Sequence, residues 1–426
     1  MPEIKVPYGR TGFKAVIPDK NFLGIYESSV PQAAEDQDGA VRDALDHPIG
    51  SPLLEDLARG KKTAVVITSD HTRPVPSRTI MPQILQRLRK GNPAIRITIL
   101  VATGFHRGTT RKELEEKLGC DIVAREKIVV HDSGDEGSLV KLGTLPSGGE
   151  LIVNKLAAEA DLLVGEGFIE PHFFAGFSGG RKCILPGIAS RKTVLANHCS
   201  EFIQSPYART GNLENNPIHR DMLFAAETIG LDFIVNVVID PAKKIVRAFA
   251  GDREKAHEQG CEFLRSLCQV NVPEADIVIT SNGGYPLDQN VYQSVKGMTA
   301  GEAVCRDGGV IIISASCCDG HGGESFFRNL SEAASPEELL EKAARTPRDR
   351  TKPDQWEYQI LARILAGHTV IVVTKDCDHK MLEAMHLKTA RTLDEAFQMA
   401  LGITGPDAKT AVIPDGVSVI AKKRQP

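Results

Sequence analysis

Short runs of apolar, often β-branched residues alternate with segments of helical period along most of the chain. The runs in the first half are TAVVIT, IRITILVA and DLLVGEG, and those in the second half are DIVITS, VIIIS and TVIVV. Apolar runs of this length are typical of strands that are buried on both faces of a parallel sheet. Because such strands alternate with helices, the pattern predicts an α/β fold with mainly parallel sheets.

The alternation forms two series, which predicts two α/β domains. The first occupies residues 1–270 and ends in an amphipathic helix with the sequence DREKAHEQGCEFLRSLCQV. The second occupies residues 271–426 and begins with the strand ADIVITS. The sequence does not decide to which of the two domains the last predicted strand, 409–415, belongs. Two short strands near the N-terminus, IKVPYG and FKAVIP, are predicted to pair with each other.

Three of the predicted strands in the first domain end in polar segments that contain a histidine. These histidines are His71 in SDHTR, His106 in GFHRG and His172 in IEPH. In open α/β sheets, ligands bind beyond the carboxyl ends of the strands. We therefore expect the three histidines to lie along one edge of the sheet. His131 also follows a strand, but it has no glycine or cationic neighbours and is interpreted as structural.

The stretch 170–199 reads EPHFFAGFSGGRKCILPGIASRKTVLANHC. A Gly-Gly pair followed by Arg-Lys lets backbone N–H groups approach an anion that two cations face. Ser190 is the predicted N-cap of the next helix, and His198 lies near its C-terminal end, where a neutral imidazole can bind a metal. A simple turn is the alternative, and the spacing of His172 and His198 matches no zinc motif.

The second domain contributes one further polar cluster. A strand and a Gly-Gly turn precede a predicted helix that carries Tyr292, Gln293 and Lys296. Tyr292 and Lys296 are four residues apart and share one face of that helix. A lysine beside a glutamine and a tyrosine suits a carboxylate or a phosphate. Taken alone, this segment favours the alternative of a solvated surface lysine.

Charge and composition exclude several classes of partner. The chain has 426 residues, with 51 basic and 55 acidic side chains and a net charge of −4, which gives no global electrostatic case for nucleic acid or an anionic membrane. No apolar run reaches the length of a membrane span, and the N-terminal sequence lacks the apolar core of a signal peptide. The nine scattered cysteines are interpreted as reduced thiols, and we predict a cytoplasmic protein.

Together these motifs resemble the nickel-dependent lactate racemase family, whose enzymes use a nickel-pincer nucleotide. The resemblance covers nearly the whole chain. It rests on SDHTRPVP, GFHRG, EPHFFAGFSGGRKCILPGIA with ANH after it, YPLDQNVYQSVKG, CDGHGGE and DQW. It implies an isomerase, a racemase or epimerase that inverts C2 of a 2-hydroxy acid in the cleft between the two domains. Its implied partners are the small-molecule substrate and the enzymes that make the cofactor.

The resemblance also implies a role for each matching residue. Lys182 corresponds to the lysine that holds the cofactor through a thioamide. His198 corresponds to the histidine that ligates nickel beside the two sulfurs and one carbon of the pincer. The residues matching the segment around the nucleotide are Asp70, His71, Thr72 and Arg73. Those matching the substrate contacts are Tyr292, Gln293, Lys296 and Trp356.

In the implied mechanism, His106 and His172 are the acid/base pair. One takes the hydroxyl proton as hydride leaves C2 for the cofactor. The resulting 2-keto acid turns its carbonyl face and takes the hydride back, and the other histidine protonates the product. Histidine suits both steps because its unperturbed pKa, about 6.5, is close to neutral pH.

Several alternatives stay open at this point. Lactate is the default substrate, and malate, another 2-hydroxy acid or a sugar acid would suit the same machinery. A function of another class would be a zinc metallohydrolase built on His106, His172 and His198, or a non-catalytic nickel-nucleotide carrier. An NAD-dependent dehydrogenase is disfavoured, because no GxGxxG motif opens a βαβ unit in this sequence.

Overall fold

A computed structural model describes residues 2–424 of the chain. The strands are β1 (Glu3–Tyr8), β2 (Thr11–Val16), β3 (Phe22–Ile25), β4 (Thr63–Ser69), β5 (Arg96–Ala102), β6 (Lys127–Val130), β7 (Leu139–Thr144), β8 (Glu150–Asn154), β9 (Leu162–Phe168), β10 (Pro171–His172), β11 (Gly176–Phe177), β12 (Phe233–Ile239), β13 (Ile245–Gly251), β14 (Gln269–Val272), β15 (Ala275–Ser281), β16 (Cys305–Ser314), β17 (Thr369–Val373), β18 (Lys388–Ala390), β19 (Thr410–Ile413) and β20 (Ile420–Lys423).

The helices are α1 (Gln37–Asp46), α2 (Leu54–Ala58), α3 (Ser77–Gly91), α4 (Arg111–Leu118), α5 (Cys120–Arg125), α6 (Lys155–Ala158), α7 (Arg191–Asn197), α8 (Ser200–Gln204), α9 (Pro217–Ile229), α10 (Lys255–Cys268), α11 (Val291–Glu302), α12 (Glu324–Ser331), α13 (Pro336–Ala344), α14 (Gln355–Gly367), α15 (His379–Ala384) and α16 (Leu393–Thr404). Short 3-10 turns are formed by Glu136–Ser138, Gly180–Cys183 and Arg348–Arg350.

The first six-stranded sheet has the order β13-β12-β9-β4-β5-β6. Its pairs are parallel except for β12 and β13, which are antiparallel. Strand β9 is buried along its whole length, which explains its continuous apolar run. The strands that precede the three predicted histidines are neighbours in the order β9-β4-β5, so their carboxyl ends meet at one edge.

The second six-stranded sheet has the order β18-β17-β16-β15-β19-β3, and all of its pairs are parallel. Helix α11 packs on β15 and β16 and also contacts α14. The two sheets confirm the predicted α/β class with mainly parallel sheets in two domains. Within residues 2–424, no helix is both long and apolar enough to cross a bilayer.

The N-terminal strands lie with the second sheet, although the sequence suggested a place in the first domain: β3 is its edge strand, and β1 and β2 form a separate two-stranded sheet. Strand β3 pairs with β19, and β1 pairs with β2 as predicted. Ile4 and Val6 of β1 are buried in one apolar cluster with Ile277 and Ile312 of the second sheet. The predicted strand at 409–415 forms β19 and lies in the second sheet too. The domain limits 1–270 and 271–426 stay a prediction.

One large apolar cluster joins the two domains. It contains Ile184 and Phe202 from the first domain and Val295, Met298 and Leu361 from the second. Because protein interiors are close-packed, a shared core fixes the relative position of the surfaces around it. The carboxyl ends of the first sheet and the first turns of α11 and α14 therefore face each other across a defined gap.

Candidate active site

A cavity of about 660 Å³ lies between the two domains. It is lined by the strand ends of the first sheet and by the start of α11 and of α14. All the predicted site residues except His71 line it: Asp70, Thr72, Arg73, His106, His172, Lys182, His198, Tyr292, Gln293, Lys296 and Trp356. Two groups of these residues recur below. The first wall is His106, His172, Lys182 and His198, and the second wall is Tyr292, Gln293, Lys296 and Glu357.

His71 is the one predicted residue that does not line the cavity. Its Nδ1 lies 3.2 Å from Thr109 Oγ1, and its Nε2 lies 3.8 Å from Glu113 Oε1. Both partners belong to the segment that starts α4. A role of His71 near the nucleotide stays a prediction.

His106 is bonded to a buried carboxylate. Its Nδ1 lies 2.6 Å from Oδ2 of Asp70, whose other oxygen accepts a 2.7 Å hydrogen bond from Thr72 Oγ1. Burial would raise the pKa of Asp70, but the hydrogen bonds from His106 and Thr72 outweigh it and hold the pKa below its usual value. An ionised carboxylate requires a proton on His106 Nδ1. Nε2 is therefore the nitrogen that is left to act as a base.

His172 is held in a different way. The Ala175 N–H donates to its Nδ1 at 3.2 Å, and the ring packs against Phe173 and Phe174 with centroid distances of 5.1 and 4.5 Å. Burial, followed by the charges of Lys182 and other cations, lowers the pKa of His172 well below its usual value. The ring is therefore neutral at neutral pH and carries its proton on Nε2. His172 thus presents a donor where His106 presents a lone pair.

Lys182 lies in the 3-10 turn Gly180–Cys183 and lines the cavity. Its amine forms no hydrogen bond or ion pair with any other residue from 2 to 424. Burial, followed by the charges of Arg181 and Arg73, lowers the pKa of Lys182 well below its usual value. Because the protonated form of this amine is disfavoured, it is a better nucleophile than an exposed lysine, so this position suits a covalent bond.

The Gly-Gly pair before Lys182 does not form the predicted anion cradle. The Gly180 N–H donates to Asn236 Oδ1 at 2.6 Å, so this N–H is already used. Arg181 is turned into the protein interior, so only one of the two adjacent cations faces the cavity. The glycine is needed for a different reason. Gly180 has φ +51°, and a Cβ there would lie 2.6 Å from the ring of His257.

His198 follows the last residue of α7, whose N-cap is the predicted Ser190. Its ring lies 5.1 Å from both Phe174 and Trp356, nearly edge-on to each. Burial lowers its pKa to about 3, so the imidazole is neutral. Its Nδ1 is buried without a hydrogen-bond partner, and neither ring nitrogen is bonded to another residue of the described chain. Such an uncommitted neutral imidazole fits a metal ligand.

The second wall carries the groups that suit an anion. Lys296 Nζ donates to Gln293 Oε1 at 2.6 Å and lies 5.9 Å from the centre of the Phe173 ring. The Tyr292 hydroxyl donates to Asp354 Oδ1 at 3.1 Å, which fixes the start of α14 against α11. The Lys296 side chain therefore lines the cavity beside an aromatic face, with an amide to orient it.

Two family models match the chain, the lactate racemase N-terminal domain over residues 8–211 and the lactate racemase C-terminal domain over residues 270–421. The chain belongs to the lactate racemase family. The lactate racemase of Thermoanaerobacterium thermosaccharolyticum is 57% identical over 426 residues, which cover 100% of both chains. The lactate racemase of Lactiplantibacillus plantarum is 55% identical over 427 residues, which cover 99% of this chain and 100% of the relative.

A solved structure shows the same architecture for a lactate racemase. The apoprotein from T. thermosaccharolyticum superimposes with a TM-score of 0.96 and 57% identity, and the match covers 99% of this chain and 100% of that one. A protein from Thermotoga maritima, 21% identical with a TM-score of 0.65, shares the fold. Lactate racemases are isomerases, and this member of the family is an enzyme of that class.

Two buried carboxyl groups of this lactate racemase family member were missed by the sequence reasoning. Glu357 is 1% exposed and lines the cavity, with Oε1 unpartnered. Burial raises its pKa to about 8 against the opposing charge of Lys296. Glu166 of β9 is 2% exposed, and burial raises its pKa too. A charged residue inside the apolar run LLVGEGF was the available signal for Glu166. No such signal marked Glu357, because a single glutamate in a predicted helix is ordinary.

Proposed function

We propose that the chain is a lactate racemase that works with a nickel-pincer nucleotide held at Lys182 and His198. One observation carries this proposal. A free amine, an uncommitted neutral imidazole and two further histidines line the same cavity, opposite a lysine that suits a carboxylate. Full-length identities of 57% and 55% to two lactate racemases support lactate as the substrate.

The residues present fit the proposed cofactor. Lys182 would bind it covalently through its amine, and His198 would ligate nickel through an imidazole that has no other partner. When bound, the group supplies a reversible acceptor for the hydride at C2 of the substrate. A single imidazole, that of His198, would complete the ligands of such a nickel group.

The zinc metallohydrolase is less well supported. A catalytic zinc site takes three protein ligands. Among residues 2–424, no group of three or more His, Cys, Asp or Glu side chains is arranged to hold a metal ion. A non-catalytic carrier would not need the hydrogen bond from His106 to buried Asp70. Proton transfer, in contrast, requires a base that is oriented in this way.

His106 would act first on one enantiomer. Its Nε2 accepts the hydroxyl proton, and the Asp70 carboxylate at Nδ1 stabilises the imidazolium that forms. Lys296 and Gln293 would hold the substrate carboxylate, so that C2 and its hydroxyl face the first wall. The aromatic rings of Phe105, Phe173 and Trp356 line the same cavity and exclude water from the reacting atoms.

His172 would serve the opposite face of the substrate. In the free protein its pKa is lowered by burial and by the charges of Lys182 and Lys296, among others. A bound substrate carboxylate would offset the charge of Lys296. Substrate binding would therefore raise the pKa of His172 towards the range that proton exchange requires.

Racemisation of lactate tests the proposal. The protein is produced together with enzymes that make the cofactor, and L-lactate is converted while D-lactate is followed by chiral chromatography. We expect turnover with lactate, and lower kcat/KM with malate, a longer 2-hydroxy acid and a sugar acid. Turnover of malate or a sugar acid, without any turnover of lactate, would show that lactate is not the substrate. A cytoplasmic location and the need for cofactor-making enzymes stay predictions.

A further inference from the structure

Two cysteines lie just beyond the carboxyl ends of neighbouring strands in the second sheet. Strands β16 and β17 pair in parallel as far as Ser314 and Val373. Neighbouring strands are about 4.8 Å apart, so the segments that follow them start side by side. Cys317 and Cys377 belong to these two segments.

Hydrogen bonds hold the two segments together up to the cysteines. Thr374 Oγ1 donates to Ser316 O at 2.7 Å, and Ser316 Oγ donates to Asp376 Oδ2 at 3.2 Å. The next residue in each segment is a cysteine, and the Cys317 thiol donates a hydrogen bond to the sulfur of Cys377. The two sulfurs are therefore in contact, although the residues are far apart in sequence.

The backbone at Cys317 has an unusual conformation for a residue with a side chain. Its φ is +49°, in the left-handed region that favours glycine. Its N–H donates to Asp288 O at 2.8 Å, and its carbonyl accepts from the Gly320 N–H at 2.9 Å. A turn with only a structural role would be less strained with glycine here. The strain therefore indicates that the thiol itself has a use.

The two thiols differ in exposure. Cys377 is half-buried, whereas Cys317 is 1% exposed. The hydrogen bond from Cys317 lowers the pKa of Cys377, whereas the same bond and burial raise the pKa of Cys317. A thiolate is the reactive form, so the sulfur that solvent reaches is also the better nucleophile. Within residues 2–424, no other cysteine is hydrogen-bonded to a second cysteine.

We propose that Cys317 and Cys377 form a reversible disulfide when a small-molecule disulfide is the oxidant. Neither cysteine lines the cavity between the domains, so this site is separate from the proposed active site. Cys317 Sγ lies 4.0 Å from Ser294 Oγ of α11. The disulfide would therefore restrain a segment that packs against the helix of the second wall.

The reaction proceeds by two thiol–disulfide exchanges. The Cys377 thiolate attacks one sulfur of the small disulfide, which forms a mixed disulfide and releases one small thiol. The Cys317 sulfur then attacks Cys377 Sγ, which forms the protein S–S bond and releases the second small thiol. The protein loses two electrons and two protons, and both go to the small disulfide, which is reduced to two thiols.

A buried cysteine can also act only as a small apolar side chain. To distinguish the two roles, the reduced full-length protein is incubated with oxidised and reduced glutathione over a range of ratios. The reaction is quenched with acid, free thiols are alkylated, and peptides are identified by mass spectrometry.

We expect the intact mass to fall by two hydrogen atoms, with one cross-link between the peptides of Cys317 and Cys377. Its yield should exceed that of every other cysteine pair by at least about tenfold, because these thiols start in contact. Dithiothreitol should restore the reduced mass. Glutathione adducts on exposed Cys120 without this cross-link would overturn the proposal, and so would a cross-link that dithiothreitol does not reverse.

Variants identify the sulfurs. Cys377→Ser should abolish the cross-link, and Cys317→Ser should stop the reaction at a glutathione adduct on Cys377. Cys318→Ser is the matched control, because Cys318 is exposed and adjacent to Cys317. It should keep the cross-link, whose loss in this variant would contradict the assignment. If Cys317→Ser does not fold, the wild type, Cys377→Ser and Cys318→Ser still decide.

Discussion

The two walls of the cavity differ in the charges that face their buried groups. The amine and buried imidazoles of the first wall have lowered pKa values, because burial removes water and nearby cations disfavour a further proton. On the second wall, burial lowers the pKa of Lys296 and raises that of Glu357 to about 8, while the charge of each favours the charged form of the other. Neutral nitrogen donors thus face a wall that can bind an anion.

This difference follows from the elements that form each wall. The first wall is built from strand ends and from the segment 170–199, where the backbone turns sharply and side chains enter a buried space. The second wall is built from the first turns of α11 and α14, whose residues lie on regular helical faces. Proton transfer and metal binding require lone pairs, whereas recognition of a carboxylate requires a cation. The two requirements are met on separate elements.

The largest effect should come from removing a proton-transfer group of the first wall. His106→Ala and His172→Ala should each lower kcat for lactate racemisation by about 10²–10⁴-fold, the usual contribution of a general acid or base. The covalent adduct and nickel content should be retained, as intact mass and metal analysis would check. His47→Ala is the matched control, since that side chain is 77% exposed. Turnover near wild type in either variant would remove the acid/base assignment.

Removal of the cation from the second wall should affect substrate binding instead. Lys296→Met should raise KM for lactate by about 10- to 100-fold, the range of a lost hydrogen bond to a charged group. The adduct should form normally, because Lys296 lies on the other wall from Lys182. Steady-state kinetics of the loaded enzyme measure the change, with Lys112→Met as the exposed control. An unchanged KM would place the substrate carboxylate elsewhere.

The pH dependence of KM should sharpen the contrast between the walls. The Glu357 carboxyl, with its pKa raised to about 8 by burial against the opposing charge of Lys296, is neutral below that pH. As pH rises through about 8 it gains a negative charge beside the anion site, so KM for lactate should rise. Glu357→Gln should abolish this rise and leave KM at pH 7 within about twofold. A rise that persists in the variant would exclude Glu357 as its cause.

The smallest expected effect is on stability. His219 has a pKa of about 3 in the folded protein, so between about pH 6.5 and 3 the unfolded chain binds more protons than the folded one. Its contribution to stability is complete above about pH 6.5 and is lost progressively below it. His219→Gln should reduce the loss of unfolding free energy by up to about 1.4 kcal/mol per pH unit.

Urea unfolding at pH 7, 6 and 5 would measure this slope. Exposed His47→Gln should leave the slope as in wild type. The same slope in His219→Gln as in wild type would show that the ring is protonated in the folded protein, contrary to its burial beside Arg181.

Much of the first wall could be predicted from local sequence. Apolar runs fix β4, β5 and β9 as buried strands, and parallel pairing brings their polar ends to one edge. The caps of α4 and α7 were also predictable, because Thr110 and Ser190 accept hydrogen bonds from N–H groups of the first helical turns. His131 is structural as interpreted, with Nε2 bonded to Ala189 O at 3.0 Å.

Other features depend on contacts between distant segments. The Gly180 N–H is taken by Asn236, which is far away in sequence, so no local motif shows that the predicted anion cradle is filled. Strand β3 joins β19 across almost the whole chain, and a short run such as FLGI gives no hint of that partner. The raised pKa of Glu357 arises from burial by other elements, which periodicity does not reveal.

The most direct test of a nickel-pincer site is the intact mass and nickel content of the protein after co-production with the cofactor-making enzymes. Wild type should carry a covalent adduct on Lys182 and about one nickel per chain, as a single site requires. Lys182→Ala should lack the adduct. An unmodified wild-type mass without nickel, while the same enzymes load a known lactate racemase, would contradict the account. An adduct that persists in Lys182→Ala would refute the lysine assignment.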